Sequence, residues 1–496
     1  MGVLKFRLNS PEPAGRVAEL RKAYITGLDR TPERLSVEVR PGLLVCHRET
    51  PESGRLHVPW PVDGFGTPFV ATATLAERAE PYDLGVELAR GKLNDVRNQA
   101  ADWAQVGLRL PGGLAEVLDR ARKAFAGAAT ARDDPARAGA LARECLVATF
   151  QAGRLLAGAY TEQVLRRRLD HSERLSTLLA CGLAGDPRSA PWAGPLAEAV
   201  NAARVRCAWG ELEPAEGQFR WDEMDAQLAW CRKNRLMPLA GPLVEFRAGA
   251  LPDWLWLWEG DPEAISGMAV DLVRQVVTRY RGKVGCWHVV GRPASAEVLG
   301  LSEDEQIRLT ARLLQVARQA DPNAQMVVDF DRPWAEGLGS GAFQLGPLHL
   351  ADSLARSELG LSGIGLEIAP GYGPPGSHLR DLFDFSRLLD LYALLNLPLH
   401  VTLACPSSAA PDPKADPRIA VEAAQWPAPP SETAQRDWAS QWVALAVAKP
   451  FVRSVTWMHA SDAEPHAYPH GGLFRADGSP KPALDWLKSF RSNHLA

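Results

Sequence analysis

Along the first 80 residues, short apolar-rich runs alternate with turn signals. The runs at 3–8, 23–28, 35–39, 43–47, 55–58 and 68–74 read as strands, divided by turns such as Asp29-Arg-Thr-Pro, Arg40-Pro-Gly and Pro51-Glu-Ser-Gly. Short strands at this spacing predict a small, β-rich, sandwich-like domain over residues 1–80. From Tyr82 the apolar period changes to 3.6. Residues 84–105, 113–126 and 136–168 are rich in Ala, Leu, Arg and Glu, which predicts a helical segment over 81–170. Beyond residue 172, apolar strand-like runs alternate with amphipathic helices. The strands are expected at 176–182, 203–209, 238–246, 284–290, 325–330, 363–368, 399–404 and 452–459. The helices between them include 221–234, 262–281, 302–320, 378–395 and 433–448. Eight such repeats predict an α/β fold, a (β/α)8 TIM barrel over 171–490. A doubly wound open sheet would share the alternation, but no Gly-rich dinucleotide or phosphate loop follows an early strand.

Composition narrows the function classes. The chain has 496 residues, enough for two or three domains, and its 46% apolar content with 16 Trp can fill sizeable cores. A net charge of −4 gives no general electrostatic reason to bind nucleic acid or an anionic membrane. No apolar run approaches the roughly 20 residues that span a bilayer, and the first ten residues break before a signal-type apolar segment, so a cytoplasmic location is expected. The seven cysteines are scattered without a CxxC pair, which reads as reduced, buried thiols. Neither a metal nor another cofactor is expected.

Several stretches, in order, carry a resemblance. They are Trp209-Gly-Glu-Leu-Glu-Pro-Ala-Glu-Gly-Gln-Phe-Arg-Trp-Asp, Leu251-Pro-Asp-Trp-Leu, Tyr280-Arg-Gly-Lys-Val with Trp287-His-Val-Val, Gly363-Ile-Gly-Leu-Glu, and Val455-Thr-Trp through Gly472-Leu-Phe to Pro480-Lys-Pro-Ala-Leu. Together they resemble glycoside hydrolase family 10, the xylanase family, over roughly residues 172–490. That resemblance implies an endo-1,4-β-xylanase-like barrel and an oligosaccharide or polysaccharide partner.

The same alignment departs from the family at its chemical centre. The family's strand-four Trp-Asp-Val-Val-Asn-Glu ends in the general acid/base, whereas here the run is Trp287-His-Val-Val-Gly-Arg, with Arg292 at that position. The family's strand-seven Thr-Glu-Leu-Asp carries the nucleophile, and here Val401-Thr-Leu-Ala-Cys puts Leu403 in its place. A retaining glycosidase needs two carboxyl groups roughly 5–5.5 Å apart. Arg stays cationic and cannot act as the acid. Leu can neither attack nor stabilise an oxocarbenium ion.

Other polar residues are expected at the strand ends. Glu245, Asp331 and Glu367 are the carboxylates available for a relocated catalytic pair. Each also has a structural reading, Glu367 as a partner of Arg292 or another base, because buried carboxylates are normally paired. After strand eight come His459, Asp462, Glu464, His466 and His470. Their irregular, Pro-broken spacing favours ligand hydrogen bonding or loop structure over a metal centre. Trp209, Trp287 and Trp457, with Trp254, Trp256 and Trp258, could stack on sugar rings or pack in the core.

Three functions remain open on these grounds. The leading one is a pseudoenzyme, a degenerate barrel that binds a β-linked glycan. The second is a glycoside hydrolase with relocated carboxylates. The third is a protein-interaction scaffold, in which the barrel is a platform for the N-terminal region.

Overall fold

The computed structural model describes residues 2–8, 14–131, 133–293, 298–336, 338, 344–373 and 376–496. Its N-terminal strands, up to Tyr82–Asp83, form two four-stranded sheets. In the first, the order is Ser36–Arg40, Leu43–Arg48, Gly2–Arg7 and Tyr82–Asp83, the last pair parallel. In the second, the order is Pro32–Glu33, Tyr24–Thr26, Arg55–Pro59 and Phe69–Ala71. A short helix, Ala14–Leu20, connects strands in a stretch where no apolar period announced it.

Three helices follow, Leu84–Gln105, Leu114–Thr130 and Pro135–Leu169. Asp83 and Asp134 cap the first and third, each side chain accepting from a first-turn backbone N–H. Pro135 opens the third helix, where its missing N–H costs nothing. The two sheets and these helices share one hydrophobic cluster, from Leu4 and Phe6 through Leu88 to Phe150.

Eight parallel strands then close into a barrel ringed by helices. They are Leu178–Gly182, Ala202–Val205, a third strand in two pieces (Met237–Ala240 and Val244–Glu245), Cys286–Gly291, Gln325–Asp331, Gly363–Ile368, Leu399–Leu403 and Val452–Trp457. The eighth pairs with the first, so no edge is left open. The third strand breaks where Pro242 lacks a ladder donor, and where a Cβ on Gly241 would lie 2.1 Å from the His288 carbonyl oxygen. Strand two ends sooner than its apolar run suggested, because Trp209–Leu212 turns into a short helix.

Charged and polar side chains occupy the barrel interior. Arg204 pairs with Asp329, whose carboxylate also accepts from His288 Nδ1 at 2.8 Å. His400 Nδ1 lies 2.8 Å from Ser454 Oγ. Gly365 makes room for this group, since a Cβ there would fall 1.8 Å from Asp329 Oδ1. Burial opposes ionisation of Asp329, but Arg204 and His288 outweigh it and hold its pKa well down.

The N-terminal region packs against the barrel through polar contacts. Lys92 Nζ, buried on the first long helix, reaches Asp381 at 2.9 Å and Asp384 at 3.1 Å. Phe69 N–H donates to the Leu379 carbonyl at 3.0 Å, and His378 Nε2 lies 2.9 Å from the Thr67 carbonyl oxygen. These contacts explain why the helix expected at 378–395 is shorter. Residues 378–381 are engaged by the N-terminal region, and the helix runs Leu382–Ala393 with Asp381 as its cap. Among the described residues, no helix is long and apolar enough to cross a membrane.

Candidate functional site

The C-terminal ends of the strands surround a cleft of about 670 Å³. Its floor is organised by Arg292, which directly follows strand four, adopts a left-handed φ of 57° and is 3% exposed. Gly291, the residue before it, passes so close to Pro242 that a Cβ would come within 3.2 Å. The Arg292 guanidinium reaches Glu367 Oε1 on strand six at 2.5 Å, Glu245 Oε1 on strand three at 3.2 Å and Tyr468 Oη at 3.1 Å. Tyr468 donates in turn to Glu367. Glu245 is also held by Arg247 Nε at 2.8 Å, and Arg247 continues to Asp416 at 3.0 Å. Arg418 pairs with Asp416 at 2.7 Å. The floor is a chain of alternating charges.

Burial and these contacts together set the pKa values of the two carboxyls apart. Burial opposes the charge of Glu245, but Arg247 and Arg292 overcome it and hold the group at about 2. For Glu367 burial is the stronger effect, and its pKa is raised despite Arg292. Asp331 pairs with the adjacent Arg332, Nε to Oδ2 3.1 Å, and lies outside the cleft lining. Each of the three carboxylates singled out in the sequence is therefore in contact with an arginine.

The loop after strand eight is held together by its own polar contacts. Lys481 pairs with Asp462 at 2.5 Å, and Gly472 N–H donates to the same carboxylate at 2.8 Å. The His459 and His466 rings stack 4.5 Å apart. His466 Nε2 lies 3.0 Å from Asp412, and its Nδ1 lies 2.8 Å from the Glu464 carbonyl oxygen. Burial lowers the pKa of His459 to about 4. Although His459, Asp462 and His466 bring ligand atoms within 4.8 Å of one another, Asp462 is taken by a lysine and both nitrogens of His466 have partners. A second such group, Cys286, His288 and His400, is sealed inside the barrel. Within it His288 Nδ1 is already taken by Asp329 and His400 Nδ1 by Ser454.

Of the residues singled out in the sequence, Trp209, Glu245, Arg292, Glu367, His459 and His466 line the cleft together. The others do not. Trp287 is fully buried and packs outward among the helices, because it is adjacent on its strand to the inward-facing His288. Trp457 is likewise buried, donating Nε1–H to the Gly471 carbonyl at 2.8 Å. Asp462 is sealed under Lys481, and Glu464 accepts from Trp192 Nε1 at 2.9 Å beside a neighbouring pocket. Trp254, Trp256 and Trp258 do not alternate across a strand. They lie on a 3₁₀ helix, Asp253–Trp258, from which Trp254 packs edge-on against Trp209.

Four residues that build the floor carry weaker signals in the chain. Arg247 and Tyr468 stand within stretches whose other members attracted notice. Asp416 and Arg418 come from the long loop after strand seven, which has no period to read.

Comparison with known proteins agrees with this architecture. Residues 203–332 match the family model described as glycosyl hydrolase family 10. Endo-1,4-beta-xylanase C of Paenibacillus barcinonensis is 24% identical over 208 residues, 36% of this chain and 18% of its own length. Endo-1,4-beta-xylanase C of Phanerodontia chrysosporium is 27% identical over 202 residues, 39% of this chain and 49% of its own. The chain thus spans less than half the length of these curated relatives. Native xylanase 10B from Thermotoga maritima superposes with a TM-score of 0.49 at 17% identity, covering 64% of this chain and 96% of that one. The closed eight-strand sheet makes the C-terminal part of the chain a (β/α)8 barrel, and its segment 203–332 is similar to glycosyl hydrolase family 10.

Proposed function

We propose that the barrel mouth binds a β-linked glycan and does not hydrolyse it by the retaining mechanism. The observation that carries this reading is Arg292, which pairs with both Glu367 and Glu245. A retaining glycosidase requires one carboxyl to protonate the leaving oxygen and another to attack the anomeric carbon. Here the Arg292 guanidinium contacts both floor carboxylates, Arg247 adds a second cation at Glu245, and no general acid can stand where the resemblance puts Arg292. Leu403, aligned with the family nucleophile, is buried and has no nucleophilic atom. What remains is a wide cleft rich in fixed hydrogen-bonding groups. Arg206, Arg247, Lys414, Arg418 and the His459–His466 stack border it, and all suit a polyhydroxyl ligand.

One observation favours a second reading, an active hydrolase with relocated carboxylates. The raised Glu367 and depressed Glu245 have the inequality that an acid and a nucleophile need. Arg292 between them argues against it.

Calorimetric titration with xylohexaose and cellohexaose tests binding. Saturable heat with at least one of them, weakened about tenfold or more in a Lys414→Ala/Arg418→Ala double variant, is expected. Both side chains border the cleft from its outer loop, so the fold should survive their loss. Failure of every β-1,4-linked oligosaccharide to bind would overturn the proposal.

A further inference from the structure

We propose that the cavity between the N-terminal sheet and the barrel is a binding site for a small organic anion with a flat apolar body, an aromatic carboxylate in chemical class. This cavity lies outside the barrel mouth. Its volume is about 110 Å³. An engineered protein cavity of about 150 Å³ admits benzene, so this smaller space encloses no more than one ring and leaves an attached carboxylate at the rim.

Aromatic groups from both parts of the chain wall the cavity. Tyr24 and His57 of the N-terminal sheet stack at 4.5 Å and 9°, forming a flat platform, with Phe69 beside them. Trp334, from the loop after barrel strand five, faces the same space. Burial drives the His57 pKa well down, so the platform is neutral. Such surfaces favour a planar ring.

The charges at the rim are unequal. Five cationic side chains line the cavity: Arg30, Arg55, Lys92, Arg380 and Arg387. Four of them have counter-charges. Lys92 has Asp381 and Asp384, and Arg380 has Glu336 at 3.3 Å. Arg55 and Arg387 share one oxygen of Asp95, at 2.5 and 2.6 Å. Arg30, exposed at the rim, has no ion pair among the described residues, and its pKa is lowered by partial desolvation and by Arg387 and Arg55. Burial also raises Asp381 to about 6 and raises Glu336, which weakens the negative side further.

A buried donor without a partner points the same way. Arg380, 5% exposed, directs Nη2 to Tyr24 Oη at 3.0 Å, but its buried Nε–H has no partner. Leaving such a donor unsatisfied is costly, and a carboxylate oxygen would satisfy it. The ring would lie against the aromatic wall and the carboxylate would face the arginines.

Benzoate is the probe and benzyl alcohol its neutral control, titrated calorimetrically into the full chain at low ionic strength. The site requires saturable benzoate binding that raises Tm, weakens about tenfold in Arg30→Gln and disappears in Leu391→Trp, which fills the cavity from the barrel side. Benzyl alcohol should bind at least tenfold more weakly. Absence of benzoate binding, its survival in Leu391→Trp, or equal binding of the alcohol would each overturn the proposal. A Leu391→Trp variant that failed to fold would be replaced by Ala71→Leu, which fills the same space from the sheet side.

Discussion

The barrel mouth and the N-terminal junction are both lined by arginines, and the two differ in what those arginines face. In the mouth the guanidiniums alternate with carboxylates from Glu367 through Arg292, Glu245 and Arg247 to Asp416 and Arg418. At the junction, Arg55 and Arg387 converge on one Asp95, and Arg30 stands beside them unmatched. A neutralised network is a structural device. It can present hydrogen bonds but holds no free carboxylate for chemistry. A residual cation beside an apolar cavity has the makings of a ligand site.

Removing Arg292 should sharpen this contrast most. Arg292→Leu leaves Glu367 and Glu245 buried without their shared cation, and a loss of about 3–5 kcal/mol is expected from urea unfolding. Adding Glu367→Gln should recover part of that loss. A stability change under about 1 kcal/mol for Arg292→Leu would show that the floor is not held by this network.

At the junction, Lys92→Met should cost on the order of 3 kcal/mol at pH 8, because Asp381 and Asp384 then face each other unpaired. Asp381 has a folded pKa of about 6, above its unfolded value, so its charge is a burden that protonation relieves. Lys92 holds that value down, so in Lys92→Met the carboxyl titrates higher still, and the penalty should shrink as pH falls from 8 to 5. Equal penalties at pH 8 and pH 5 would contradict the assignment.

Acid should affect the two regions alike. Glu245 and Asp95 both have folded pKa values of about 2, below their unfolded values. Their stabilisation is fully present above about pH 4.5 and is lost as pH falls toward 2. Asp95→Asn should remove about 2 kcal/mol at neutral pH and flatten that acid slope, as followed by thermal unfolding between pH 6 and pH 2.5. The smallest effect belongs to Arg30→Gln. Loss of an unmatched cation should leave Tm unchanged or slightly higher, whereas a clear fall would reveal a structural partner for Arg30.

The sequence was legible where periodicity dictates structure. Strand six was expected at 363–368 and is observed at Gly363–Ile368, and the first long helix was expected at 84–105 and is Leu84–Gln105. Binary patterning specifies such elements because one face must be buried. Pairing of Glu367 with Arg292 was among the readings open from sequence, since a buried carboxylate needs a partner. Tyr468 and Asp416 escaped notice because their partners lie far away in the chain, at separations no local pattern encodes, whereas Arg247 follows its partner Glu245 by two residues. The tryptophans misled in a different way. Abundance says nothing about which face a ring occupies, and Trp287 faces the helices because His288 takes the interior.

The central claim is that a cleft floored by Arg292-bound carboxylates does not cleave glycosidic bonds. Incubating the protein with xylohexaose and following the products by mass spectrometry, beside a Glu367→Gln variant, tests it directly. The account predicts intact xylohexaose with both proteins. Shorter xylo-oligosaccharides produced by the wild type and absent with Glu367→Gln would contradict it and establish Glu367 as a working carboxyl.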